Sequence, residues 1–268
     1  MIKGLNISKK YKKFELQPTS IEIDKGEIVA LIGENGAGKS TLIKCMCGVI
    51  DADEGQLEVD GQVVKKLDDV LVLGFMNQDQ NVYNEIKIRD LTNFVKDVMK
   101  KKFDQEVYYY YFKEVFQLDD DYKMKELSTG MKVKYFLSLE LAKNPDLLVL
   151  DEPTSVLDIL RCVAKEKNTS VLFSSHITED IEKIADRVIF INNGRIVLQG
   201  DKKEIKKKYV KLNQQQYVIL VNAGMAKECV SIHDYYIVDR DLAMTCNVEA
   251  KEALLSDILS YMRKRSED

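Results

Sequence analysis

The 268-residue chain contains no apolar run close to the roughly 18 residues that cross a bilayer. The run Leu147–Leu150 is only strand-sized. Met1-Ile2-Lys3-Gly4 opens straight into alternating residues with no signal-peptide core. The expectation is a cytosolic protein that meets a membrane only through a partner. A basic surplus is also missing: 40 Lys and Arg against 44 Asp and Glu leave a net charge of −4. A protein that binds phosphates along a nucleic acid is normally basic, so no nucleic-acid partner is expected. Cysteine is sparse and odd in number, at 45, 47, 162, 229 and 246. That excludes a disulfide framework and suits a reducing compartment. Cys45-x-Cys47 is not a metal spacing, so both are expected to pack. Internal repeats and low-complexity linkers are absent. What remains, 45% hydrophobic and 31% charged, is an ordinary globular mixture, enough for one large domain with a small appendage.

Period-2 alternation predicts strands over Ile2–Ser8 and Phe14–Ile23, and a compact apolar strand over Glu27–Ile32. A glycine-rich loop then leads to a helix from Lys39 to Cys47. Strand-like pieces follow at Gln56–Val64 and Val70–Met76. From Ile88 to Phe116 the period turns helical, with Leu91, Phe94, Val95, Val98 and Met99 on one face. Another helix is expected over Thr129–Lys143, buried strands at Leu147–Leu150 and Val171–Ser174, and a short helix at Glu179–Asp186. Asn193-Gly194 marks a hairpin between Val188–Ile191 and Arg195–Leu198. Beyond about residue 208 the character changes to a small α+β piece, with a strand expected at Tyr217–Val221 and a terminal helix carrying Leu254, Leu255, Ile258, Leu259 and Met262 on one face.

Two motifs carry chemistry. Gly33-Glu34-Asn35-Gly36-Ala37-Gly38-Lys39-Ser40 fits G-x-x-x-x-G-K-[ST] between a strand and a helix. The glycines let backbone N–H groups turn inward onto phosphate oxygens, and the helix adds its positive end. Lys39 would neutralise the β- and γ-phosphates, and Ser40 would ligate Mg²⁺. The second motif is Leu147–Leu150 followed by Asp151 and Glu152. Asp151 at the strand end would hold Mg²⁺. Glu152 points the other way on an extended chain and would polarise a water. The D-x-x-G and N-K-x-D pair of GTPases is absent, and no acceptor pocket of a small-molecule kinase is legible.

Leu127-Ser128-Thr129-Gly130-Met131 opens a helix and ends 20 residues before Asp151 (151 − 131). With Gln78, Asp158 and His176 in order, residues 1 to about 205 closely resemble the ATP-binding cassette (ABC) family. LSTGM in place of the usual LSGGQ, together with Ser174-Ser175-His176-Ile177 and Ile184–Val188, is similar to the ATPases that serve ABC-2-type exporters. The resemblance implies an α/β fold: a P-loop NTPase core with an antiparallel β subdomain and a helical subdomain at about 86–143, plus a small C-terminal α+β extension. The domains would be an ATPase at 1–208 and an accessory region at 209–268.

By the same resemblance ATP and Mg²⁺ are the cofactors. Tyr11 would stack on adenine, and Gly33–Thr41 would bind phosphate, Thr41 included. Gln78 would reach Mg²⁺ or the attacking water. Ser128, Thr129 and Gly130 would cover the γ-phosphate held by a second subunit, and Asp158 would lie at that contact. Glu152 would act as base, and His176 would hydrogen-bond the γ-phosphate. The other histidine, His233, reads as structural. The implied partners are a second ATPase subunit and a transmembrane permease, at the inner face of the membrane, powering export. The alternative is a soluble ABC ATPase acting on ribosomes, DNA or cluster assembly. It is disfavoured because one cassette is present and Lys39 and Asp151 are only 112 residues apart (151 − 39), too close for an inserted coiled coil. A regulatory module with little turnover is disfavoured by Glu152 and His176.

Two departures stand out. Met131 replaces a polar glutamine, and only 18 residues separate Asp158 from His176 (176 − 158), leaving room for at most two to three helical turns. Tyr108–Phe112 with Phe116 fit either a subdomain core or a contact for a membrane partner. Lys202, Lys203 and Lys206–Lys208 read as a solvated face in preference to a lipid contact.

Overall fold

Three sheets organise the chain in a computed structural model that describes residues 1–77, 84–153 and 155–267, the last without its side chain. The elements run β1 (Ile2–Lys10), β2 (Glu15–Ile23), β3 (Ile28–Ile32), α1 (Lys39–Met46), β4 (Glu54–Val59), β5 (Gln62–Val64), β6 (Leu73–Met76), α2 (Ile88–Met99), α3 (Gln105–Tyr109), α4 (Thr129–Leu141) and β7 (Leu147–Asp151). They continue with α5 (Leu157–Lys167), β8 (Ser170–Ser175), α6 (Thr178–Ile184), β9 (Arg187–Asn192), β10 (Arg195–Asp201) and α7 (Lys202–Lys208). The last elements are β11 (Tyr209–Leu212), α8 (Gln214–Asn222), β12 (Val230–Ile232), β13 (Tyr235–Asp239), α9 (Arg240–Thr245), β14 (Lys251–Glu252) and α10 (Leu255–Glu267).

The central sheet has the order β10-β9-β3-β8-β7-β6, with β10 antiparallel to β9 and the other pairs parallel. Every residue of β3, β7 and β8 is buried, as expected of strands covered on both faces. Their order matters for chemistry. β3, β8 and β7 are neighbours, with Ile32 opposite Ser175 and Asp151 opposite Ser174. The loops leaving their C-terminal ends therefore emerge side by side. Those loops carry Gly33–Lys39, His176 and Glu152, at the end of a parallel sheet where ligands bind.

A second, antiparallel sheet, β2-β1-β4-β5, closes over α1. Ile7, Leu16, Ile21 and Ile23 pack with Leu42, Ile43 and Met46 in one core. Cys45 and Cys47 are buried here, and burial pushes the Cys47 thiol up to about 12. The opposite face of the central sheet packs on the helical segment α2–α4 in a larger core containing Tyr108, Tyr111, Phe112, Phe116 and Tyr135. Tyr109 and Tyr110 remain half-exposed at 42% and 55%. Thr92 ties this core together, its hydroxyl lying 3.0 Å from that of Tyr108 and 3.1 Å from that of Tyr135.

The third sheet, β12-β13-β11-β14, is built entirely from residues after 208. It has a small core of its own, including Val210, Leu212, Leu220 and Val238. Ile232, Ile237, Leu255, Ile258 and Leu259, however, belong to the same core as the central sheet. The C-terminal extension is thus welded to the rest of the chain through α10.

Several expectations from the sequence need correction. Tyr217–Val221 is helical, inside α8. Its aromatic and β-branched residues favour a strand, but Asn213 and Gln216 form a reciprocal cap, at 2.9 and 2.8 Å, that starts a helix. The stretch Gln56–Val64 is two strands, turned at Asp60 and Gly61 with positive φ of 49° and 80°. Only Leu73–Met76 of Val70–Met76 is strand. The helical stretch 88–116 is broken into α2, a 3₁₀ turn, α3 capped by Asp104, and a π-helical turn at Tyr110–Val115. On α2 the expected apolar face splits. Leu91, Val95 and Met99 pack inward, while Phe94 and Val98 are 64% and 65% exposed. Leu254 lies outside α10 and is exposed. The short connection after Asp158 does hold a helix, the 11-residue α5, three turns long and stopped by Asn168 in the left-handed region.

The lysine run finds protein partners: Lys202 donates to the Ile181 and Glu182 carbonyls, Lys206 to the Glu182 carboxylate and Lys207 to Glu204. His233 sits exposed at the turn between β12 and β13. No described helix is long and apolar enough to cross a membrane.

Candidate functional site

The loop after β3 is shaped by what its glycines permit. Gly38 caps α1 with φ of 112°, in the left-handed region, and a Cβ there would sit 2.9 Å from the Phe14 ring. Gly36, with φ of 82°, has open space where a Cβ would be. No side chain caps α1, so its first N–H groups stay available to an outside anion. Lys39 is buried and its Nζ donates to the carbonyls of Gly33 and Glu34, at 2.7 and 3.2 Å. The same Nζ lies 3.5 Å from Glu152 Oε1. A cavity of about 650 Å³ opens onto this loop, lined by Asn35, Gly36, Lys39, Ser40, Thr41 and Glu152, with Lys13, Phe14, Glu34 and Gly38. An uncapped helix start, a buried lysine covered by loop carbonyls and a roomy opening fit a polyphosphate. Ala37, within this loop, is buried, and its N–H donates to the Glu34 carbonyl at 3.1 Å.

β7 ends in Asp151, buried at 5% exposure. Its Oδ1 accepts a hydrogen bond of 2.6 Å from the Ser174 hydroxyl, and the Ser174 oxygen accepts the Glu152 N–H at 2.9 Å. Ser174 thus fixes both acids through the neighbouring strand. Glu152 takes φ of 58°, and its Oε2 lies 2.9 Å from His176 Nδ1. The carboxylate therefore stands between the lysine of one loop and the histidine of another. Oxygen donors such as Ser40 and Asp151 suit Mg²⁺, a hard cation that prefers carboxylate and hydroxyl ligands to nitrogen.

A second cavity, about 510 Å³, lies on the far side of Glu152. Its walls include Thr129 and Gly130 of α4, Asp151, Glu152, Ser155 and His176. Glu152 lines both cavities. Ser128 caps α4, its hydroxyl accepting the Met131 N–H at 3.2 Å.

Not every expected residue converges. Gln78 lies outside the described residues. Asp158 is exposed in the first turn of α5 and lines neither cavity. Tyr11 is 46% exposed, its N–H bonded to the Phe14 carbonyl. The aromatic ring lining the phosphate-loop cavity comes from Phe14 instead. The sequence reading gave Phe14, Lys13 and Ser174 no role. Ser174 could have been found as the hydroxyl opposite Asp151 on the adjacent strand, had the strand order been known.

Residues 16–155, 140 of the 268, match the ABC transporter family. The chain is 29% identical to ABC transporter ATP-binding protein YtrB of Bacillus subtilis (strain 168), over 91% of this chain and 86% of that protein. It is 32% identical to the molybdate/tungstate import ATP-binding protein WtpC of Methanocaldococcus jannaschii, over 77% of this chain and 73% of that protein. Its fold matches the ADP conformation of MJ1267, an ATP-binding cassette of an ABC transporter, with a TM-score of 0.62 at 25% identity, covering 76% of this chain and 92% of that one. A family match across half the chain, with relatives that extend it over most of the remainder, makes this chain a member of the ABC transporter family: an ATP-binding transporter subunit that uses ATP with Mg²⁺ and hydrolyses it.

Proposed function

We propose that this chain powers a membrane exporter from the cytoplasmic face, as one of two cassettes that close on ATP and drive a separate transmembrane permease. One observation carries the chemistry: the Glu152 carboxylate reaches Lys39 on one side and His176 on the other, where two cavities meet. On arrival of ATP, Lys39 exchanges the Gly33 and Glu34 carbonyls for phosphate oxygens. The N-terminal N–H groups of α1 take up further phosphate oxygens. Mg²⁺, held by Ser40 and Asp151, would offset charge on the phosphates. Glu152, released from Lys39, accepts a proton from the water that attacks the γ-phosphate in line.

His176 has a more constrained part. A neutral ring that donates Nδ1–H to Glu152 keeps only an acceptor at Nε2. To donate to a γ-phosphate oxygen it must either be protonated or leave Glu152. Closure of a second subunit's α4 start, at Ser128–Gly130, over the phosphate supplies the remaining N–H donors.

Export is supported by the LSTGM signature and by the segments around His176 and Asp186, which are similar to those of ABC-2-type exporter ATPases. Phe94 and Val98, neighbours at i and i+4 on α2, leave apolar surface open to a partner. Two measurements test the reading. Detergent-solubilised membranes should yield the chain together with a multi-span protein. Recovery on ribosomes or DNA instead would establish the soluble alternative. Deleting the gene should leave a compound depleted from the medium, as loss of export requires. A compound enriched in the medium would mean import.

A further inference from the structure

The C-terminal extension touches the phosphate loop. Arg263, on α10, donates to the Glu34 carboxylate across 229 positions of sequence. One turn further along, the Ser266 hydroxyl accepts from Asn192 Nδ2 at 2.8 Å, at the end of β9. β9 in turn lies tight against the loop, since a Cβ on Gly33 would come within 2.5 Å of the Ile191 carbonyl. α10 is held in this position by Leu255, Ile258 and Leu259 in the central core.

Glu34 lines the phosphate cavity and is 64% exposed on its side chain. Glu152 lines it too, so two carboxylates face Lys39 and Lys13 around an opening that must take a triphosphate. A carboxylate left unpaired there would repel the incoming anion. Arg263 is placed to cancel it.

We propose that Arg263 makes the C-terminal extension part of the ATP site: it pairs Glu34 and so removes a repulsive charge from the mouth of the phosphate cavity. Arg263 is a positioning residue in this scheme, acting through Glu34 and not on ATP itself. The inference rests on the phosphate loop being the nucleotide site. It gives residues 209–267 a role in nucleotide affinity, and any movement that lifts α10 would lower that affinity.

The pair is largely exposed, at 48% and 64%, so its effect is modest and sensitive to salt. The test is a titration of the purified full-length chain with a ribose-labelled fluorescent ATP, alongside steady-state hydrolysis. Arg263→Ala should weaken ATP binding about two- to fivefold at low salt and raise KM while leaving kcat unchanged. Arg263→Lys should restore most of the affinity, and the loss should fade at about 0.5 M salt. Glu34→Gln combined with Arg263→Ala should bind as Glu34→Gln alone does. Labelled adenosine, which carries no phosphate, should bind all variants equally. The proposal is overturned if the double variant is as weak as Arg263→Ala, because the arginine would then act without Glu34. It is also overturned if Arg263→Ala binds ATP as the wild type does while Lys39→Ala does not bind. Should Lys39→Ala bind normally, the phosphate-loop reading itself fails.

Discussion

Two helices in this chain begin where an anion would be welcome, and they are finished differently. α1 starts at Gly38 with no side chain over its first N–H groups. α4 starts at Ser128, whose own hydroxyl already accepts the Met131 N–H. The first is an open receptor, with Lys39 and Glu152 beside it. The second has satisfied part of its own need and lacks a buried lysine. The difference teaches that one chain contains one complete phosphate cradle and half of another. On the function proposed above, a subunit so built would bind nucleotide alone and would take a second α4 start to finish the site.

Ser128→Arg should break the comparison most severely. A bulky cation at the α4 start blocks closure, so hydrolysis should vanish while ATP affinity of the single chain stays within about twofold. Lys39→Ala should lose binding itself. In a homodimer, mixing the two dead variants should restore some hydrolysis, because one interface then pairs an intact loop with an intact Ser128. An equimolar mixture that stays inactive over the wild type's working concentrations would mean the site is not shared between identical chains.

Glu152→Gln should come next, with turnover reduced about a hundredfold or more, ATP affinity kept, and an ATP-bound dimer accumulating on gel filtration. Turnover within about twofold of the wild type would remove Glu152 as the base.

Ser174→Ala sharpens the receptor side. It removes a donor to Asp151 and the acceptor of the Glu152 N–H. Loss of such a partner behind a metal ligand typically costs tenfold or more, so the Mg²⁺ concentration for half-maximal hydrolysis should rise by about tenfold. The smallest effect belongs to the adenine end. Tyr11→Ala and Phe14→Ala should each weaken ATP and GTP to the same degree, because stacking reads a flat ring and no base-specific donor. A difference of about a thousandfold between the two nucleotides would require a base reader elsewhere in the chain.

Local patterns made the strands, the phosphate loop and the acidic strand end readable, because each is set by a few neighbouring residues. The convergence of Lys39, Glu152 and His176 was readable only through family resemblance, since it depends on β3, β8 and β7 being neighbours. α8 misled because the side chains of Tyr217–Val221 favour a strand, while the deciding bonds lie outside that run, at Asn213, and at Gln216 beside it. Phe94 and Val98 share a helical face with Leu91, Val95 and Met99 yet stay exposed, because period alone does not say how wide the buried stripe is. Arg263 and Glu34, 229 positions apart, meet only once the extension has docked, and no local signal marks such a pair.

Glu152 sits in the left-handed region, where a residue with a side chain is strained by about 1 kcal/mol or more, whereas glycine is free of that strain and asparagine reaches it readily. The fold is therefore slightly worse off for keeping a glutamate there. If Glu152 is the base proposed above, a descendant that no longer had to split ATP would be driven towards Gly or Asn at this position by stability as well as by drift. Either residue directly after a Leu-Val-Leu-Asp strand end, in an otherwise intact cassette, would be a fossil of abandoned turnover.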